Sequence, residues 1–174
     1  MKTTLKMFRI VSLNTLFMFL FMISINKNIV FAEINTGVDV GQKASTFKLL
    51  TIEGKELDLE SFGKDKSILL VFGATWCPHC KHEVPLLKEY YKEFKDKGLE
   101  VLNIDIQESE KKVKAFVEKN KINYPVVLDS NADVARLYKV VGIPLNIILD
   151  KNGIIKYKDN IPPSKEIIEK LLAN

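Results

Sequence analysis

The stretch that decides the fold is SILLVFGATWCPHC, residues 67–80. Residues 67–73 form a continuous apolar run of strand length, which is typical of a central strand covered on both faces of a sheet. The run ends just before the only two cysteines of the chain, Cys77 and Cys80, and Pro78 between them suits the first turn of a helix. We therefore predict a buried strand that leads directly into a helix carrying two thiols at its start.

Outward from this stretch, strand and helix patterns alternate. Upstream, two short extended runs flank Gly54, as in a β-hairpin. Downstream, apolar side chains recur at helical spacing up to Gly98, a helix stop signal. Further strands are predicted at 99–106, 124–128, 144–149 and 154–158, and further helices at 109 onward, 132–138 and 164–172. This order predicts an α/β fold in which helices flank a mixed central β-sheet, with an N-terminal β-hairpin.

Length and charge limit the classes of function. The chain has 174 residues, enough for one domain of ordinary size once a targeting segment is set aside. Four of its 26 basic residues precede the first acidic residue, Glu33, and the remaining number equals that of the acidic residues, 22. The domain therefore lacks the basic excess that binding to nucleic acid requires, and we expect no such partner.

Residues 1–32 have the pattern of an export signal. A basic start ends at Arg9, the apolar run of residues 10–25 is shorter than the roughly 20 residues that span a bilayer, and Ala32 provides a small residue for cleavage. An uncleaved membrane anchor is the alternative, because residues 29–31 extend the run. In both cases we expect residues 33–174 to lie outside the bacterial cytoplasm and to meet the membrane only through this segment.

The placement of the two thiols predicts redox chemistry. A sulfur at the first turn of a helix lies among unpaired backbone N–H groups at the positive end of the helix dipole, which favours thiolate over thiol. We predict that Cys77 is the attacking nucleophile and that Cys80, one turn deeper, is shielded until it resolves the mixed disulfide. The redox-active pair would then need no further cofactor.

Other uses of the pair fit less well. Zinc needs four ligands. The cysteine and histidine candidates crowd into little more than one helical turn, since the chain offers only Cys77, Cys80, His79 and His82. We therefore expect no metal. A structural disulfide across so short a loop would restrain little of the unfolded chain. His79, protonated or as a hydrogen-bond donor, would stabilise the Cys77 thiolate and make the disulfide more oxidising, whereas His82 is interpreted as a solvated side chain.

Three segments together resemble the thioredoxin superfamily: ATWCPHC at 74–80, Gly142-Ile143-Pro144 before a strand, and LDKNG at 149–153. The hairpin, Glu83 after the motif and the inserted segment 109–138 are similar to the TlpA-like, ResA-type branch of extracytoplasmic thiol-disulfide oxidoreductases. The resemblance covers residues 40–172. It implies a thioredoxin fold with a central helix-containing insertion.

The resemblance also implies roles for single residues. A cis peptide bond between Ile143 and Pro144 would face the cysteine pair, with the Ile143 backbone pairing with an extended substrate segment. Trp76 would shield the sulfurs. Thioredoxin carries a buried acid at the position of Val71, so Glu83 is expected to replace it as the group that exchanges a proton with the second cysteine.

The resemblance implies a protein-disulfide reductase of the kind used in cytochrome c maturation. Its partners would be disulfide-bearing or dithiol exported proteins and a membrane thiol-disulfide electron donor, and the fold commonly works as a monomer. The reverse direction is the alternative, because Pro78-His79 is also the dipeptide of the strong oxidant DsbA. Gly73 stands where the family often has Trp, and Leu145-Asn146 follows the proline where a Thr pair is common. Both departures alter the substrate-facing surface.

Two further functions remain as weaker alternatives. Thiol peroxidases of related fold use a cysteine in a Pro-rich loop rather than a pair at a helix start. A copper-binding chaperone would combine the paired cysteines with a distant histidine, and no histidine follows His82.

Overall fold

The computed structural model describes residues 35–173. The strands are β1 (Thr36–Gly37), β2 (Lys43–Ala44), β3 (Lys48–Thr51), β4 (Glu56–Asp58), β5 (Ser67–Gly73), β6 (Leu99–Ile106), β7 (Val126–Asp129), β8 (Leu145–Leu149) and β9 (Ile155–Asp159). The helices are α1 (Leu59–Phe62), α2 (Pro78–Phe94), α3 (Glu110–Asn120), α4 (Asp133–Leu137) and α5 (Lys165–Leu172), and a 3₁₀ turn, Lys95–Lys97, follows α2.

The central sheet is mixed, in the order β4-β3-β7-β6-β5-β8-β9. Strands β5, β6 and β7 run parallel, whereas β3, β4, β8 and β9 each pair antiparallel with their neighbours. All seven residues of β5 are buried, since β6 and β8 flank it and helices cover both faces of the sheet. The predicted central strand and the thioredoxin fold are therefore confirmed.

Alternate residues of β5 point into two separate cores. Leu69 and Val71 pack in the cluster that includes Leu87 of α2 and Val113 of α3. Leu70 and Phe72 pack in the other cluster, beside α1 and α4. Successive side chains of a strand point to opposite faces of the sheet. Each apolar face therefore needs its own covering of helices, which gives the layered arrangement.

Helix α2 begins at the cysteine motif. Pro78 occupies its first position and Cys77 is its N-cap, so the missing N–H of proline costs no helical hydrogen bond. The helix passes into the 3₁₀ turn and ends at Gly98, whose φ of 96° lies in the left-handed region that glycine adopts without strain. Since α2 follows β5 directly, the motif lies at the carboxyl edge of the parallel strands.

The observed elements agree closely with those predicted. The hairpin predicted around Gly54 is the antiparallel pair β3–β4, and the strand predicted at residues 99–106 is β6. Helix α1 and the two-residue pair β1–β2 were not predicted, because such short elements show no periodicity. The N-terminal segment 1–32, predicted as a signal or anchor, lies outside the described residues.

No helix between residues 35 and 173 combines the length and apolar character needed to cross a membrane.

Candidate active site

Cys77 and Cys80 lie at the junction of β5 and α2. Both are free thiols. The Cys77 Sγ accepts a hydrogen bond from the backbone N–H of Cys80, over 3.3 Å. The sulfur thus occupies the N-cap position, at the positive end of the helix dipole.

The loop before β8 lies against this sulfur. The Ile143–Pro144 peptide bond is cis, as the resemblance implies. The Cys77 thiol donates to the Ile143 carbonyl oxygen at an Sγ–O distance of 3.7 Å. Asn160 holds the loop, because its Nδ2 donates to the carbonyl oxygens of Gly142 and Pro144 over 3.2 and 2.6 Å. Two segments far apart in sequence therefore form one site.

The exposure of the two cysteines differs from the prediction. Cys77 is only 3% exposed, whereas Cys80 is partly exposed. The expectation that Cys80 is the shielded member of the pair is wrong. Position along the helix suggested that Cys80 is the less exposed cysteine. The contact between Cys77 and Ile143, which depends on tertiary structure, makes Cys77 the less exposed one.

Cys80 is held as a neutral thiol. Burial raises the pKa of Cys80 to about 12, and its hydrogen bond with Cys77 and the charges of Cys77 and Glu83 act in the same direction. A thiol in this state is a poor nucleophile at neutral pH. An attack by Cys80 therefore needs a neighbouring group that accepts its proton.

Glu83 is a buried carboxyl group one turn further along α2. The residue is 7% exposed, and the Asn146 Nδ2 donates to both of its carboxylate oxygens over 3.3 Å. Burial raises the pKa of Glu83 to about 7, although the hydrogen bond from Asn146 opposes the shift. Asn146 is the cross-strand neighbour of Val71, so Glu83 reaches the region below the motif from the helix side.

The remaining motif residues form an exposed rim. Trp76 is 61% exposed, so its indole is not part of either core. Pro78 and His79 are also exposed. Within residues 35–173, the hydrogen bonds of the Cys77 sulfur go to Ile143 and Cys80, and the expected hydrogen bond from His79 is not formed. The shielding role of Trp76 stays a prediction.

An anchor that the sequence analysis missed holds the loop before Cys77. Glu108 accepts hydrogen bonds from the Thr75 backbone N–H and from the Thr75 hydroxyl, the latter over 2.8 Å, and pairs with Lys112. Burial opposes ionisation of Glu108, but the hydrogen bonds from Lys112 and Thr75 outweigh it and lower its pKa. The signal in the sequence was the presence of acids at the carboxyl end of a parallel strand, where functional groups collect.

A groove of ≈ 550 Å³ runs beside the motif. Its walls include His79, Leu86, Ile143, Pro144 and Ile161. Ile161 is 67% exposed, so the groove offers apolar surface beside the cis-proline loop. In the described part of the chain, no three His, Cys, Asp or Glu side chains are grouped as metal ligands.

Comparison with known proteins gives a consistent result. The family model described as the AhpC/TSA family matches residues 40–158. The thiol-disulfide oxidoreductase ResA of Bacillus thuringiensis is 32% identical over 135 residues, which cover 78% of each chain. The thioredoxin-like protein YneN of Bacillus subtilis is 36% identical over 126 residues, covering 69% of this chain and 71% of its own.

Solved structures agree with these relatives. The thioredoxin domain of a thiol-disulfide oxidoreductase from Bacteroides vulgatus superposes with a TM-score of 0.71 at 27% identity, over 78% of this chain and 99% of that domain. The family match covers the cysteine pair, Glu83 and the cis-proline loop. This chain belongs to the AhpC/TSA family and is a thioredoxin-fold thiol-disulfide oxidoreductase related to ResA.

Proposed function

We propose that this protein reduces disulfide bonds in exported proteins. Cys77 attacks a substrate disulfide and forms a mixed disulfide, and Cys80 then attacks Cys77 and releases the reduced substrate. The observation that carries the proposal is the position of the Cys77 sulfur, which caps α2 and faces the cis Ile143–Pro144 bond. The dithiol is the only redox group that the reaction uses.

The environment of Cys77 supports reduction over oxidation. A strongly oxidising pair needs a thiolate with many stabilising contacts, because these favour the reduced form. The Cys77 sulfur accepts one backbone hydrogen bond, and the exposed His79 donates none to it among residues 35–173. The groove beside Pro144 suits an extended peptide segment, whose backbone would pair with Ile143.

The cellular setting is part of the proposal. The signal-like N-terminus would place the domain outside the cytoplasm, where structural disulfides form and a dedicated reductant has substrates. A membrane thiol-disulfide donor would restore the dithiol after each cycle. Apocytochrome c, whose haem-binding cysteines must be reduced before haem attachment, is the substrate class that we favour.

The first test is the reduction potential of the Cys77–Cys80 pair by glutathione equilibration. We expect a value near the roughly −270 mV of thioredoxin. A value near the roughly −120 mV of DsbA would instead assign the protein to disulfide formation, despite the exposed position of His79.

A trapping experiment tests the order of attack. A Cys80→Ser variant mixed with a disulfide-bearing peptide should accumulate a stable mixed disulfide through Cys77, visible by mass spectrometry. A Cys77→Ser variant is the matched control, and it should trap little peptide because Cys80 is held as a thiol. Preferential trapping by the Cys77→Ser variant would reverse the assignment.

A further inference from the structure

A small internal cavity lies behind Cys80, and we call it the Cys80 cavity. Cys80 of α2, Asn103 and Asp105 of β6, Val113 of α3 and Tyr124 before β7 contribute to its wall. Its volume of ≈ 20 Å³ exceeds the roughly 10–15 Å³ that one water molecule requires. The cavity is separate from the substrate groove, which Cys80 does not line.

Two residues that line this cavity each carry a buried polar atom with no hydrogen-bond partner among residues 35–173. The atoms are Oδ1 of Asp105 and the hydroxyl oxygen of Tyr124, and the two residues are 3% and 5% exposed. An unpaired buried polar atom is costly, so each of these atoms has a strong tendency to bind water. A carboxylate, a phenol and a thiol therefore converge on a space that fits a single water molecule.

We propose that a water molecule in the Cys80 cavity connects the Cys80 thiol to Asp105, and that Asp105 accepts the Cys80 proton during resolution of the mixed disulfide. This inference rests on the proposed function. The Cys80 sulfur forms a bond to Cys77 and is oxidised, while the bond between Cys77 and the substrate sulfur breaks. The substrate sulfur leaves as a thiolate that takes up a proton, and the Cys80 proton passes through the water to the carboxylate.

The charges around Asp105 suit this role. Burial raises the pKa of Asp105 to about 8, and Glu108 adds to the rise, whereas Lys112 opposes it. From α2, the charge of Glu83 acts on both Cys80 and Tyr124. Asp105 can thus hold or release a proton near neutral pH, as an efficient general base must.

Sheet register explains why Asp105 reaches this place. Its Cα pairs with Gly73, the last residue of β5 before the motif. A Cβ on Gly73 would lie 3.4 Å from the Cys80 sulfur and 3.9 Å from the Asn103 side chain. The Cys80 sulfur therefore lies close to the end of β5, on the face of the sheet that carries Asn103.

The test separates the two chemical steps in the full chain. The reduced protein is mixed in acidic buffer with dithiobis(nitrobenzoate), which releases one coloured thiolate when Cys77 attacks and a second when Cys80 resolves. A jump to final values of about pH 5 to 10 then times the second release. We expect Asp105→Asn to slow this second release by about tenfold near pH 8 and above, and to remove an inflection near that pH, with the first release unchanged.

The direction of the effect distinguishes proton transfer from simple charge repulsion. If Asp105 acted only through its charge, its removal would favour the Cys80 thiolate and accelerate the second release. Tyr124→Phe removes one ligand of the proposed water and leaves the carboxyl group, so it should slow the second release severalfold. This variant carries the test if Asp105→Asn does not fold.

Asp129→Asn is the matched control. Asp129 is a buried carboxylate on the neighbouring strand that caps α4 through Val134 and Ala135, and it does not line the cavity. It should lower stability without changing the pH profile of the second release. A second release with the wild-type profile in Asp105→Asn, or in Tyr124→Phe, would overturn the inference, whereas loss of the first release in the wild type would overturn the proposed function itself.

Discussion

Glu83 shows how burial and one hydrogen bond together set the chemistry of a residue. Its neighbours Lys81 and His82 on α2 are exposed, yet Glu83 is 7% exposed because it lies on the side of α2 that contacts Asn146 of β8. There it meets Asn146, whose amide donates to the carboxylate. The hydrogen bond from the amide keeps the pKa of the carboxyl group near neutral, whereas a wholly apolar pocket would raise that pKa further.

The raised pKa of Glu83 predicts a pH-dependent stability. In the unfolded chain its pKa is near 4.5, and in the fold it is about 7. Ionisation of Glu83 therefore opposes folding. The protonated carboxyl group makes its full contribution to stability below pH 4.5, and this contribution is lost as the pH rises through 7. We expect Glu83→Gln to raise the free energy of unfolding at pH 8 by up to about 3 kcal/mol and to change it little at pH 4.

Urea titrations of both proteins at the two pH values measure this difference. Glu89→Gln on the exposed face of the same helix is the control, and its stability should stay within about 0.5 kcal/mol of the wild type at both. An equal effect of Glu83→Gln at pH 4 and pH 8 would show that packing, rather than ionisation, is responsible.

At the scale of elements, the site depends on a tether between a strand end and a loop. Glu108 follows β6, and its carboxylate holds the backbone and hydroxyl of Thr75, directly before Trp76 and Cys77. The N-terminus of α2 is thereby tied to the neighbouring parallel strand. The tether also fixes the position of the helix dipole relative to the Cys77 sulfur.

Removal of the tether should affect both stability and the attacking sulfur. We expect Glu108→Gln to lower the free energy of unfolding by about 1.5–3 kcal/mol, the usual range for hydrogen bonds to a charged group, and to slow the reaction of Cys77 with a disulfide. Glu110→Gln is a close match, because it also loses an i,i+4 ion pair, with Lys114, but an exposed one. It should cost at most about 0.5 kcal/mol. An equal loss of unfolding free energy in the two variants would show that the contact between Glu108 and Thr75 does not stabilise the fold.

For the whole molecule, β5 joins the two cores into one cooperative unit. Leu69 and Phe72, both fully buried, lie on opposite faces of this strand. We expect Leu69→Ala to cost about 2–5 kcal/mol and Phe72→Ala about 3–5 kcal/mol. Either loss should weaken both layers together, because the strand cannot unfold on one face only.

Urea unfolding followed by Trp76 fluorescence and by far-ultraviolet circular dichroism tests this cooperativity. The two signals should give one shared midpoint in the wild type and in each variant. Leu50→Ala, at an exposed position of β3, should leave the midpoint nearly unchanged. Separate midpoints for the two signals would show that the protein does not unfold in a single cooperative transition.

Local patterns in the sequence determined much of this protein. The seven apolar residues of β5, the helical spacing after Cys77 and the turn at Gly54 each reflect burial or backbone geometry within a few neighbouring residues. Such patterns predicted the main strands and helices, and the position of the cysteine pair at a helix start. The resemblance carried by the motif supplied the cis bond before Pro144.

Only the tertiary structure decided which groups surround the sulfurs. The burial of Cys77 against Ile143, the pairing of Glu83 with Asn146 and the cavity that Asp105 and Cys80 both line each join residues that are distant in sequence. Strand order and register bring them together, and a shift by a single residue would turn each strand side chain to the opposite face. Local sequence patterns do not show which strands are neighbours in the sheet, and so Asp105, Glu108 and the partner of Glu83 appear only in the folded chain.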